Sequence, residues 1–186
     1  MKKNKLFVTI GLAAILFLFI SGKSDMSYTH EPSGTYFPEE IGNFLFYNQN
    51  NYDNAGNDIS VSYRSINGSE LTHYVYPVYE NSKKLKFLHH FNSYKNSIIQ
   101  TYEGCELVKE SDFENEKFSW KYAVFTFSVH FRGKVQQVYS WFLLFEKSDW
   151  FMKLRVTFAV TCKEECEAEL LGYVSQMPWP TISYEL

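Results

Sequence analysis

Two cysteines, four positions apart, are the residues of this chain with the clearest potential for chemistry. Cys162 and Cys166 lie in "TCKEECEAELLGYV", residues 161–174, just before an apolar pattern of helical period. The pair suits a redox centre poorly, because thioredoxin-like motifs place two residues between the cysteines and the nearby glutamates oppose a thiolate. It also supplies two metal ligands with no nearby histidine, whereas a tetrahedral zinc site needs four.

A disulfide is the interpretation that we favour for this pair. Cβ atoms four residues apart in a regular helix are about 5–6 Å apart, beyond the roughly 3.8 Å of a disulfide. Cys162 therefore pairs with Cys166 only if it precedes the helix. Thr161 and Glu164 fit a capping box, which places the helix start at this point. We predict a Cys162–Cys166 disulfide and a free Cys105, with pairing of Cys105 to either cysteine as the alternative.

The start of the chain predicts export, which would provide an oxidising compartment. Residues 1–22 contain three lysines, an apolar run from Leu6 to Ile20 and then small residues, as a secretory signal does. The run is shorter than the roughly 20 residues of a membrane-spanning helix. We predict a signal peptide over 1–22, a flexible linker over 23–35 and a single α+β domain over 36–186. The expected location is periplasmic or extracellular, and an uncleaved membrane anchor is the alternative.

Charge and motifs narrow the functional classes. The chain has 18 lysines and arginines against 21 aspartates and glutamates, with a net charge of −3, and no basic cluster. This balance argues against nucleic acid as the main partner. The sequence contains no nucleophile elbow, zinc-protease motif, phosphate-binding glycine loop or calcium loop. We therefore predict no cofactor, no metal site and no known catalytic motif.

The first half of the chain predicts a hairpin followed by a helix. Alternating apolar runs from Ile59 to Tyr79 flank Asn67-Gly68-Ser69, a strong hairpin signal. The polar stretch 48–58 before them predicts a loop. Apolar residues then recur at steps of three and four over 82–102, which predicts an amphipathic helix. Its adjacent His89 and His90 point about 100° apart and do not converge on one ion.

The second half predicts a three-stranded meander and a final helix. The strand candidates are 117–131, 135–147 and 150–161. The middle strand is apolar on both faces, which indicates a sheet covered on both sides. In the first strand the apolar phase shifts, so we expect a β-bulge near Ala123. The predicted fold class is α+β, an antiparallel sheet of hairpin, helix, meander and C-terminal helix, packed with helices.

Two groups of residues are candidates for a functional surface. The first is a polar group on the predicted strands, a candidate site if the sheet brings its members together: His73, His130, Glu146, Lys153 and Arg155. The aromatic content is 19%, and tyrosine suits contact with a protein or a glycan. The candidate contact surface comprises Tyr63, Tyr74, Tyr76 and Tyr79, although tyrosine also simply favours strands.

The order of these elements resembles a known family of folds. "FPEEIGNFLFYN", "ISVSYRS", "LTHYVYP", a helix, and "FMKLRVTF" running into a helix and "WP" resemble small exported bacterial proteins with the PsbP-like α/β/α sandwich, also seen in periplasmic proteins of the DcrB type. The resemblance implies a binding or assembly factor rather than an enzyme, and it carries no functional residues. We predict a non-catalytic module of the envelope whose partner is another envelope protein or a glycan. An envelope enzyme using the polar group, or a secreted effector, is the alternative.

Overall fold

The computed structural model describes residues 26–78, 83–114, 119–147 and 149–179, which form a small β-hairpin, a large antiparallel sheet and two α-helices. The predicted signal peptide over 1–22 lies outside these residues. The strands are β1 (Tyr28–His30), β2 (Thr35–Phe37), β3 (Glu40–Ile41), β4 (Phe44–Asn51), β5 (Ile59–Ser65), β6 (Glu70–Pro77), β7 (Glu106–Glu114), β8 (Ser119–Phe131), β9 (Lys134–Lys147) and β10 (Trp150–Ala159). The helices are α1 (Lys83–Thr101) and α2 (Lys163–Gln176).

The large sheet has eight strands in the order β3-β4-β5-β6-β10-β9-β8-β7, and all neighbours are antiparallel. Each helix packs on a different face, which we call the α1 face and the α2 face. The architecture is therefore an α/β/α sandwich, as the resemblance to the PsbP-like fold implies. Neither helix of the described residues is long and apolar enough to span a membrane.

Strand β10 shows how the sequence forms two cores. Its alternation puts Met152, Leu154, Val156 and Phe158 on the α2 face, where they pack with Cys166, Leu170 and Tyr173 of α2. Phe151 points to the α1 face and packs with Phe91 of α1 and Phe142 of β9. The sheet is thus buried on both sides along its central strands, which agrees with the apolar composition of β9.

The main elements predicted from the sequence are confirmed: the β5–β6 hairpin, the α1 helix, the β8–β9–β10 meander and the C-terminal helix. Several segments have more structure than predicted, among them strands β3 and β7, for which no element was predicted. Strand β4 continues to Asn51, inside the stretch 48–58 for which a loop was predicted. The β1–β2 hairpin occupies residues 28–37, so ordered strands begin within the stretch 23–35 for which the sequence predicts a flexible linker.

The predicted β-bulge near Ala123 is wrong. Strand β8 pairs with β9 in one continuous register from Trp120 to Phe131. The apolar phase shifts because Trp120 packs in the α2-face core whereas Phe125 and Phe127 pack in the α1-face core. The irregularity lies instead in the neighbouring strand β7, between Leu107 and Lys109.

The predicted capping box at the start of α2 is also wrong. The N-cap residue is Cys162, at the end of a single 3₁₀ turn, and no side chain caps the helix there. The acidic Glu164 and Glu165 lie in the first turn, where their charge favours the helix dipole. The expectation that Cys162 precedes the regular helix is nevertheless confirmed.

A buried carboxylate joins α2 to the sheet. Glu169 accepts hydrogen bonds from Asn67 Nδ2 at 2.9 Å, Asn43 Nδ2 at 3.3 Å and Ser69 Oγ at 3.2 Å. Asn67 and Ser69 belong to the turn of the β5–β6 hairpin, and Asn43 lies between β3 and β4. One side chain thus fixes the helix against two turns that are far apart in sequence.

We predict that Glu169→Met destabilises the protein by about 2 kcal/mol, because the three donors lose their acceptor in a buried site. Urea unfolding followed by circular dichroism measures the change. The matched control is Glu165→Met, on the exposed surface of the same helix, which we expect to be nearly neutral. Equal stability of the two variants would contradict the role assigned to Glu169.

Candidate functional site

The five polar residues proposed from the sequence do not meet at one site. His73 is fully buried on the α2 face, whereas Lys153 and Arg155 lie on the α1 face of β10. Glu146 pairs in register with Phe151 and so shares the α1 face. His130 is exposed close to the β8–β9 turn. The structure therefore brings together Lys153 and Arg155 and leaves both histidines apart from them.

His73 has a structural environment. Its Nδ1 lies 3.1 Å from the hydroxyl of Tyr173, and the rings of Phe37 and Trp179 lie 5.1 and 5.4 Å from its ring. Burial lowers the pKa of His73 to about 3, so the imidazole is neutral at neutral pH. It joins the sheet to α2 as a packed, uncharged ring.

Lys153 is enclosed by aromatic rings. Only 8% of the residue is exposed. Its Nζ lies 3.9 Å from the ring centroid of Tyr74 and 3.8 Å from that of Tyr94, within cation–π distance of both. Burial lowers the pKa of Lys153 to about 8, with Arg155 adding to the shift and Asp58 opposing it. The amine thus sits in a site that disfavours its charge.

Arg155 lies two residues further along β10, on the same face. Its Nε donates a hydrogen bond to Ser140 Oγ at 2.6 Å, and its guanidinium carbon lies 5.7 Å from the ring centroid of Tyr102. Burial lowers the pKa of Arg155, and the neighbouring Tyr102 and Tyr74 oppose that shift. Among the ion pairs of the described residues, none includes Lys153 or Arg155.

These side chains form a single group, which we call the basic aromatic cluster: Lys153, Arg155, Tyr74, Tyr94 and Tyr102. Register places Tyr74 of β6 directly beside Lys153. Tyr94 lies on the side of α1 that faces the sheet, and Tyr102 follows eight residues later, one residue beyond the end of the helix. From the sequence we assigned both tyrosines to the apolar stripe of the helix predicted over 82–102. Their hydroxyl groups were the one sign in the sequence that they could also line a polar site.

The tyrosines proposed as a contact surface lie in different environments. Tyr63 is fully buried in the α2-face core, so its assignment to an exposed surface is wrong. Tyr74 and Tyr76 are half-buried, and the Tyr76 hydroxyl is hydrogen bonded to His90 Nε2 at 2.6 Å. Tyr79 lies outside the described residues.

Other tyrosines are exposed next to the basic aromatic cluster. Among the residues that the structure describes, helix α1 packs on β8, β9 and β10 and not on β4 or β5. The uncovered part of the α1 face, which we call the open face, comprises Leu45, Tyr47, Tyr52 and Arg64. Leu45 is 55% exposed and Tyr52 57% exposed, and the Arg64 guanidinium lies 3.8 Å from the ring centroid of Tyr47. Tyr52 stacks on Tyr74, so the open face continues into the cluster.

The two neighbouring cysteines lie close together but not at disulfide distance. Their Sγ atoms lie 3.1 Å apart, with both thiols free. Burial raises the pKa of Cys166 to about 12, so this thiol does not resemble a reactive nucleophile. Cys105 packs on the α1 face and is separated by the sheet from Cys162 and Cys166. The described residues contain no group of three or more His, Cys, Asp or Glu arranged to hold a metal ion.

Comparison with known proteins identifies the fold. No family model matches the chain, and no curated protein matches it. Among solved structures it is similar to the solution structure of cyanobacterial PsbP (CyanoP) from Synechocystis sp. PCC 6803, with 12% identity and a TM-score of 0.55. The match covers 86% of this chain and 95% of the cyanobacterial one. The chain therefore has a PsbP-like fold.

We predict that Lys153→Met raises the free energy of unfolding at pH 7 by on the order of 2 kcal/mol, because the buried ammonium is removed and methionine packs well on aromatic rings. Below pH 8, Lys153 is protonated in both the folded and the unfolded wild type. Burial of the ammonium therefore lowers the free energy of unfolding of the wild type by its full amount. Between pH 8 and about 10.4 the folded state loses its proton first, so wild-type stability rises and the difference narrows.

Urea unfolding of both proteins at pH 7 and pH 10 tests this prediction. Lys134→Met, at the exposed start of β9, is the control, and its effect should be small at both values. A Lys153→Met protein less stable than wild type at pH 7 would show that the cation–π contacts outweigh the cost of burial.

Proposed function

We propose that this chain is an exported, non-catalytic binding module, and that a partner protein of the envelope docks on the open face. The observation that carries the proposal is the incomplete cover of the sheet: α1 leaves β4 and β5 bare on one side, and large apolar side chains are exposed there. Exposed apolar patches of this kind mark interaction sites. The five polar residues of the enzyme hypothesis lie on both faces, which favours binding over catalysis.

The chemistry of the open face favours a protein partner over a glycan. Tyrosine and arginine are the residue types enriched at the centre of protein interfaces. Arg64 stacks on Tyr47, so both side chains are held in place before a partner arrives. Leu45, exposed beside them, has no polar group for a sugar hydroxyl and suits an apolar side chain of a protein.

Site-specific photocross-linking in the native envelope tests the open face. We expect a photoreactive residue at position 47 to give one discrete adduct, and a photoreactive residue at position 135 to give none. Position 135 is the control because Val135 is 75% exposed on β9, away from the open face. The captured protein is then purified, and we expect Tyr47→Ala to weaken its binding about 30-fold, as at an interface hot spot.

Two results would contradict this proposal. One is equal cross-linking at positions 47 and 135, and the other is unchanged affinity of the purified partner for Tyr47→Ala. Binding of purified oligosaccharides to the wild type, lost in Tyr47→Ala and without a protein adduct, would assign the open face to a glycan instead.

Export and the disulfide belong to the same proposal. A lysine-rich apolar leader supports passage to an oxidising compartment, and the 3.1 Å separation of Cys162 and Cys166 supports their oxidation there. The bond would close a small ring at the N-terminus of α2 and fix the start of the helix.

The intact mass of the natively exported protein, measured after free thiols are blocked, tests this part. We expect a mass that starts near Lys23 with one blocked thiol, and peptide mapping should place that thiol at Cys105. The same protein reduced before blocking is the control and should carry three blocked thiols. Retention of Met1 would indicate an anchored protein, and three blocked thiols without reduction would exclude the disulfide.

A further inference from the structure

We propose that the basic aromatic cluster binds a carboxylate group. The inference rests on the proposed function, because the cluster lies at the inner end of the open face where the partner would dock. Tyr52 connects the two: its ring stacks on Tyr74 at 6.3 Å between centroids, and its hydroxyl is hydrogen bonded to Ser60 Oγ at 3.0 Å. The open face and the cluster are thus in contact through the ring of Tyr52.

The cluster holds positive charge that the described residues do not neutralise. Lys153 and Arg155 are both mostly enclosed, and neither forms an ion pair within this part of the chain. Asp58, before β5, is the acid whose charge acts on Lys153. Glu146 shares this face but is not among the charges that act on Lys153 or Arg155, so two cations and one acid leave about one positive charge at the cluster, which a single carboxylate would balance. A phosphate group, with a charge of about −1.5 to −2 at neutral pH, would exceed it.

The two cations use only some of their hydrogen-bond donors in the contacts that the structure shows. The ammonium of Lys153 contacts the faces of Tyr74 and Tyr94, which stabilise charge but do not replace its hydrogen bonds. Arg155 uses Nε for Ser140, and Ser140 Oγ lies 3.1 Å from Thr157 Oγ1, so this end of the guanidinium is fixed. The guanidinium is also hydrogen bonded to Tyr102, and its remaining N–H groups have the planar geometry that a carboxylate accepts.

The aromatic rings of the cluster favour a ligand whose carboxylate is attached to a planar group. The ring centroids of Tyr74 and Tyr94 lie 3.9 and 3.8 Å from the ammonium, and that of Tyr102 lies 5.7 Å from the guanidinium carbon. Ring faces of this kind pack well against another planar group. The carboxylate is supplied either by an acidic side chain of the docked partner or by a free small acid, and the two sources use the same donors.

Titration of the full-length mature protein with benzoate tests the site. The probe carries one carboxylate on a flat ring, and benzamide is the matched neutral control. We expect benzoate to shift the NMR signals of the Lys153 side chain in a saturable way and benzamide to leave them unchanged. Lys153→Met should weaken benzoate binding about ten-fold or more, as loss of a charge-assisted hydrogen bond does, while Lys134→Met binds normally.

A second measurement uses the wild type alone and so does not depend on a variant. A bound carboxylate favours the ammonium form, so the pKa of Lys153 should rise from about 8 when benzoate is present. The protein is identical in the titrations with and without benzoate, so the same neighbouring groups act on Lys153 in both. The titratable or charged groups that face this part of the sheet are Asp58, Tyr74, Tyr76, His90, Tyr94, Glu146 and Arg155. An unchanged pKa at high benzoate would overturn the proposal.

The source of the carboxylate is resolved by a second probe, an acetylated and amidated glutamate, which represents an acidic side chain of a protein. Tighter binding of this probe assigns the site to the partner, and tighter binding of benzoate assigns it to a free acid. Absence of a response to both, or an equal response to benzamide, would overturn the site. Tyr47→Ala separates the two proposals, because it should abolish partner binding and leave benzoate binding intact.

Discussion

Pairing of β6 with β10 is the constraint on which the rest of the structure depends. These strands come from opposite halves of the chain, and the segment between them contains α1 and three further strands. Their register, from Trp150 opposite Pro77 to Thr157 opposite Glu70, joins the N-terminal hairpin to the C-terminal meander in one sheet. The same register puts Tyr74 beside Lys153 and His73 beside Leu154, and so decides which polar side chain lies on which face.

His73 and Lys153 lie on opposite faces of the sheet where β6 pairs with β10, and burial affects their charges differently. His73 on the α2 face gives up its charge, bonds to Tyr173 and becomes part of the core. Lys153 on the α1 face retains an amine that titrates near pH 8 and is surrounded by aromatic rings instead of acids. The α2 face thus encloses a neutral imidazole in its hydrophobic core, whereas the α1 face encloses a titratable amine beside the open face.

The parts of the fold that could be predicted from sequence are those fixed by local periodicity. Asn67-Gly68 and the flanking alternation were sufficient for the β5–β6 hairpin, and steps of three and four were sufficient for α1. Strand β7 was missed because its exposed edge position leaves little apolar pattern. The phase shift in β8 was misread because two different cores bury alternate sides of one regular strand.

The candidate site was only partly predictable for a related reason. Lys153 and Arg155 were identified because alternation within one strand is a local property. Their relation to Tyr94, Tyr102 and His73 depends on strand order and helix placement, which no spacing in the sequence encodes.

The two outer edges of the sheet also determine how this protein can associate. An exposed strand edge offers unpaired backbone groups on which another chain can extend the sheet. Here β3 is only 2 residues long, and β7 has an irregular register at Val108 followed by the charged Lys109 and Glu110. Neither edge provides a long, regular, apolar template. Growth of the sheet by addition of further strands at these edges is thereby discouraged.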